Sequence, residues 1–123
     1  MTVRLVGSLV RPSVTKPCRL VIAASGIEDF TDLDVTVGVA ASAPAHYSDL
    51  SHRDGGIFTG MHQGSFRFDP VAETYTFSCR TPFGPFTGAT PGNHAWVNLW
   101  AGPVEPSSGD VPLATVGPFT LLP

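Results

Sequence analysis

The stretch NHAWVNLW at residues 93–100 sets four side chains capable of recognition or proton transfer at alternate positions: His94, Trp96, Asn98 and Trp100. Successive side chains of an extended strand point to opposite faces. These four therefore share one face, and Ala95, Val97 and Leu99 form an apolar face behind them. Indole rings offer flat apolar area, and an amide beside them can orient a carbonyl or hydroxyl by hydrogen bonding. An imidazole titrates near neutral pH, which suits it to general acid–base chemistry. His94 is thus the candidate catalytic residue, with Trp96, Asn98, Trp100 and Tyr75 as candidate ligand-binding residues. Two plainer readings compete: the tryptophan face is core, or it is buried against a partner or a second copy of the chain.

Three further histidines, His46, His52 and His62, fall in one segment, ASAPAHYSDLSHRDGGIFTGMHQG (41–64), together with Asp49 and Asp54. Structureless connections beyond about 12–15 residues are uncommon in compact domains and are often functional. The expectation is a long loop over 41–64 that closes on the His94 face, with His52 or His62 assisting His94 catalytically. The plainer alternative is a polar surface loop. The histidine spacings match no standard ligand motif, and neither cysteine sits in a C-x-x-C pair, so no metal is expected. No phosphate cradle or nucleophile elbow occurs, and no cofactor is expected. The Pro- and Gly-dense stretch PFGPFTGATPG (82–92) reads as a rigid connection whose phenylalanines plug one end of the core.

The elements that must position these residues are strands. Twelve prolines and 13 glycines leave few windows long enough for a convincing helix, although IEDFTDLD (27–34) and PAHYSDLSHRDGG (44–56) could each hold a helical turn. VRLVGSLV, CRLVIAAS (18–25), DVTVGVA (34–40), SFRFD (65–69), TYTFSCR (74–80), HAWVNLWA (94–101) and residues 114–122 all carry strand signals. The run at 18–25 is almost continuously apolar and is expected to be buried on both faces. Residues 70–73 read as a hairpin loop, and Pro118 as an edge position or a bulge. Tyr75, Phe77 and Cys79 share one face of their strand. The fold class is all-β: a single-domain antiparallel β-sandwich or partly open β-barrel of about seven strands.

Composition narrows the partners. The chain of 123 residues is 42% apolar and 14% charged, a balance unlike that of disordered segments. Its net charge is −3, and its seven basic residues form no stripe, so a nucleic-acid partner is not expected. No apolar run approaches a membrane span, and the opening residues MTVRLVGSLVRP show no signal-peptide pattern. A cytoplasmic protein that contacts no membrane is the expectation. Cys18 and Cys79 are read as thiols, with a disulfide between them left open.

The run G-P-F-x-G-x-x-P-G-N-x-x-x-x-x-x-W-A at 84–101 resembles the signature of a small bacterial family of unknown function, with a weaker echo in V-x-V-G-V at 35–39. Ala101 stands where that pattern has Gly, and PVEPSSGDVP (103–112) replaces its basic strand. The resemblance implies an all-β fold and transfers no site residue. The residues point to a protein that binds a small apolar or aromatic ligand, either passively or as a cofactor-independent isomerase, cyclase or lyase. The alternative is a non-catalytic interaction module or homodimer with the tryptophan face as its interface.

Overall fold

The structure is a computed structural model that describes residues 3–30, 32–51, 58–62, 67–78, 84–102 and 109–123. It is an antiparallel β-sandwich. Eight strands occur among the described residues: β1 (Arg4–Val10), β2 (Arg19–Ser25), β3 (Asp32–Val39), β4 (Phe58–His62), β5 (Arg67–Asp69), β6 (Thr74–Ser78), β7 (His94–Ala101) and β8 (Ala114–Thr120). One sheet runs β1-β2-β6-β5 and the other β4-β3-β7-β8.

Alternation explains the layering. Leu5 and Leu9 of β1, Leu20, Ile22 and Ala24 of β2, and Tyr75 of β6 point inward from the first sheet. Leu33, Val35, Val37 and Val39 of β3, with Ala95, Val97 and Leu99 of β7, meet them from the second. Register pairs like with like: Val35 lies opposite Leu99 and Val37 opposite Val97. A one-residue slip would turn every one of these side chains outward, so the apolar pattern fixes the pairing.

Along one side the layers are stitched together. β1 packs beside β8. Beyond them, the Leu122 amide donates to the Pro12 carbonyl and the Val14 amide donates to the Leu122 carbonyl, both at 3.0 Å. The buried Ser13 hydroxyl accepts from the Thr15 amide at 3.0 Å and the Lys16 amide at 3.2 Å. These bonds hold the β1–β2 connection in place while the two sheets stay distinct. Pro118 lies in β8, at an edge of its sheet, where its missing N–H costs no ladder bond.

Two expectations need correction. The 41–64 connection is not one long loop. The short 3₁₀ turn at Tyr47–Asp49 falls in the stretch expected to hold a helical turn, but strand β4, which pairs with β3, divides the connection. β4 escaped notice because glycines and histidines interrupt its alternation. The run at 18–25 is buried on one face of β2 only. Val21 is 45% exposed, and Arg19 also faces out, because nothing in the described structure covers the outer face of the first sheet. The central strands β3 and β7 of the second sheet, by contrast, are buried on both faces along most of their length.

Candidate functional site

The face carrying Trp96, Asn98 and Trp100 is the outer face of the second sheet, and the chain itself covers it. Register sets Asp34 opposite Trp100, Thr36 opposite Asn98, and Gly38 opposite Trp96. After β3 the backbone doubles back. Val39 and Ser51 exchange amide-to-carbonyl bonds of 2.9 and 2.8 Å, and the Tyr47 amide donates to the Asp110 carbonyl at 2.9 Å. The Asp49 carboxylate accepts from the Ala45 and His46 amides at 3.0 Å each, which closes the 3₁₀ turn. The strap at 40–51 is thereby fixed at several points and lowers Tyr47 and Leu50 onto the sheet.

Tyr47 meets Trp100 edge to face, with ring centroids 5.4 Å apart and an interplanar angle of 84°. Leu50 sits over Gly38, where an added Cβ would approach the leucine to 3.1 Å. Trp96 packs on Gly117, whose φ of +151° and 2.8 Å approach to the indole leave no room for a side chain. The polar atoms are used internally. Trp96 Nε1 donates to the Ala40 carbonyl and Trp100 Nε1 to Thr36 Oγ1, each at 2.9 Å. Thr115 Oγ1 donates to Asn98 Oδ1 at 2.9 Å. Trp100, Asn98, Thr36 and Asp34 are at most 1% exposed. This is a second, smaller core beneath the strap, and both of its indole N–H groups are bonded to protein oxygens.

His62 and His94 do not meet. His94 is half-buried at the start of β7, where its carbonyl accepts from the Ala40 amide at 3.0 Å. His62 ends β4 opposite Asp32, and the next residue of β3, Leu33, pairs with Ala101 at the far end of β7. Seven residues of strand separate His94 from Ala101. At about 3.3 Å per residue, the two histidine backbones lie roughly 20 Å apart. Closure of the strap cannot bring His62 to His94 while β4 stays paired. His52 and Cys79 lie outside the described residues. Cys18 is buried at the mouth of β2. Among the described residues no group of three His, Cys, Asp or Glu is placed to hold a metal ion, and no helix is long and apolar enough to cross a membrane.

Tyr75 belongs to the other sheet. It pairs with Ala24 on one side and Phe68 on the other, and its ring lies 4.9 Å from that of Phe68. Tyr75 is buried, whereas Phe68, on edge strand β5, is 48% exposed. The two rings form part of an open cleft of about 590 Å³ at the end of the first sheet. Register brings its walls together: Arg4 of β1 lies opposite Ser25 of β2, and the turn that follows carries Glu28. The β5–β6 hairpin supplies Glu73, held at a left-handed φ of +54°. That turn is ordered by Asp69 Oδ1, which accepts from the Val71 and Ala72 amides at 3.0 and 3.3 Å.

Arg4, Glu28 and Glu73 are exposed at the surface of this cleft and form no ion pair among the described residues. A second cleft of about 420 Å³, lined by Arg67, Asp69 and Thr76, shares Phe68 and Pro70 with the first. The sequence locates the hairpin and marks its Tyr75 as a ligand-binding candidate, but gives Phe68 and Glu73 no role. Phe68 was one aromatic among many, and Glu28 and Arg4 gain meaning only through strand register.

Comparison with family models, with curated proteins and with solved structures finds no match to this chain.

Proposed function

We propose that this protein is a non-catalytic small-molecule-binding β-sandwich whose ligand occupies the cleft between the 25–28 turn and the β5–β6 hairpin. One observation carries the reading. A half-exposed Phe68, its ring tilted against that of the buried Tyr75, lines an open volume whose three charged side chains make no ion pair among the described residues. Ligand sites combine apolar and aromatic walls with a few polar groups that fix orientation. The tryptophan face has the apolar area, but its indole and amide groups bond to Ala40, Thr36 and Thr115, and Tyr47 and Leu50 of the strap pack onto it.

Binding is favoured over catalysis by the setting of the carboxylates. Glu28 and Glu73 are both exposed. Exposure provides neither the solvent exclusion nor the fixed geometry that acid–base catalysis uses. The charged lining also changes the expected ligand from apolar or aromatic to one with a polar rim. The interaction-module alternative loses its proposed interface, because the tryptophans are covered by the protein's own residues 40–51.

Amide chemical-shift mapping with a library of small polar and aromatic fragments tests this reading. Shifts are expected to cluster at residues 25–28 and 67–76. A cluster over 40–51 and 94–100 instead would overturn it and restore the acid–base reading centred on His94.

A further inference from the structure

We infer that the two clefts together take a neutral oligosaccharide, laid across Phe68 with sugar units on either side. The inference rests on the cleft being the ligand site and names the class of ligand.

Charge sets the first limit. Across both clefts, Arg4 and Arg67 stand against Glu28, Glu73 and Asp69, a net charge of −1. A polyanion gains nothing from that balance. An apolar ligand would strand the charged groups away from water without replacing their hydrogen bonds, which is costly. A sugar hydroxyl both donates and accepts. It can donate to Glu28 or Glu73 and accept from Arg4 or Arg67, and charge-assisted bonds of this kind are stronger than neutral ones.

Shape sets the second limit. Phe68 and Pro70 belong to the walls of both clefts. Each cleft sets a guanidinium and at least one carboxylate beside that shared edge, and in the second cleft Thr76 Oγ1, which donates to the Arg67 carbonyl at 3.2 Å, keeps its capacity to accept. Arg4, Glu28, Glu73 and Ser25 stand on one side, and Arg67, Asp69 and Thr76 on the other. A ligand made of repeating units matches a site that repeats. The half-exposed ring of Phe68 offers an apolar surface, with a negative face, to the C–H bonds of a pyranose. A monosaccharide would engage one side alone.

The experiment titrates the whole chain, by calorimetry and amide shift mapping, with cellohexaose, maltohexaose, xylohexaose and chitohexaose. The corresponding monosaccharides, a heparin hexasaccharide and a zwitterionic tripeptide are run alongside. At least one neutral hexasaccharide is expected to bind, about tenfold or more tighter than its monosaccharide. Phe68→Ala is expected to weaken it at least tenfold, on the scale of a stacking anchor. Arg67→Ala is expected to weaken the hexasaccharide while leaving the monosaccharide unchanged. Because Phe68 lies on an edge strand and is half-exposed, its variant should fold, and Arg67→Ala gives a second, surface-only check.

Preference for the heparin fragment or the tripeptide overturns the ligand class. So does a failure of all four neutral hexasaccharides to bind at millimolar concentration. If the fragment shifts at 25–28 and 67–76 persist in either case, the binding cleft itself stands; if they too are absent, the functional reading falls with the ligand class. Sugar binding that survives both substitutions overturns the placement. Release of reducing ends on incubation would show hydrolysis and overturn the non-catalytic reading while sparing the ligand.

Discussion

The two sheets of this sandwich treat their aromatic residues in opposite ways. On the second sheet, Trp96 and Trp100 lie beneath a strap of the same chain that carries Tyr47, with both indole N–H groups bonded to protein oxygens. At the end of the first sheet, Phe68 stands half in solvent over Tyr75, ringed by charged groups that form no ion pair among the described residues. The richer cluster is structural and the poorer one is available. Aromatic content alone therefore does not mark a binding site. What marks one is aromatic area that remains accessible beside polar groups that remain unused.

The largest expected effect tests the structural half of this contrast. Trp100 is 1% exposed and carries the edge-to-face contact with Tyr47. Trp100→Ala should cost about 3–5 kcal/mol, the usual range for emptying a buried large aromatic site. Urea unfolding followed by circular dichroism would measure it, since the fluorophore itself is removed. A loss under about 1 kcal/mol would mean that the strap does not seal the face, and the tryptophans would return as ligand residues.

A smaller effect should come from the hydrogen bond beneath the strap. Thr36→Val preserves the shape of the side chain but removes Oγ1, which accepts from Trp100 Nε1 at 2.9 Å. The indole N–H is then buried without its partner. The expected cost is about 1–3 kcal/mol, the penalty for an unsatisfied buried donor. The unfolding midpoint of Thr36→Val against the parent chain reads it directly. An unchanged midpoint would show that water reaches the indole, which the closed geometry forbids.

Much of this arrangement was legible in the sequence, and the limits of what was legible have physical causes. Alternation at 94–101 separated the two faces of β7 correctly, because side-chain period two is a property of the extended backbone. Alternation cannot say what covers the outer face. Here the cover comes from residues 40–51, whose contact with β7 depends on a reversal of chain direction after Val39. The apolar run at 18–25 gave the strand but the wrong environment. A buried strand and a strand with one bare valine-bearing face look alike in composition. The cleft was the least legible feature. Arg4, Glu28 and the Phe68–Glu73 hairpin come from three separate segments, and only the register of β1, β2, β6 and β5 brings them together.

The smallest effect sharpens the functional half of the contrast, at Glu73. This residue closes the β5–β6 hairpin with φ of +54°, in the left-handed region. An L-residue with a Cβ pays roughly 1–2 kcal/mol there, and glycine avoids that cost. Glycine in turn makes the unfolded chain freer, which takes back about 0.5–1 kcal/mol. Glu73→Gly should therefore leave stability unchanged or raise it by about 1 kcal/mol or less. It also removes one of the two carboxylates of the larger cleft, so ligand binding there should weaken. A side chain that lowers stability by its presence while contributing to recognition belongs to a site. Paired urea titrations and sugar titrations of the same variant measure both quantities. A clear fall in stability would show that Glu73 is part of the scaffold, and the distinction between the sealed sheet and the open one would have to be redrawn at this hairpin.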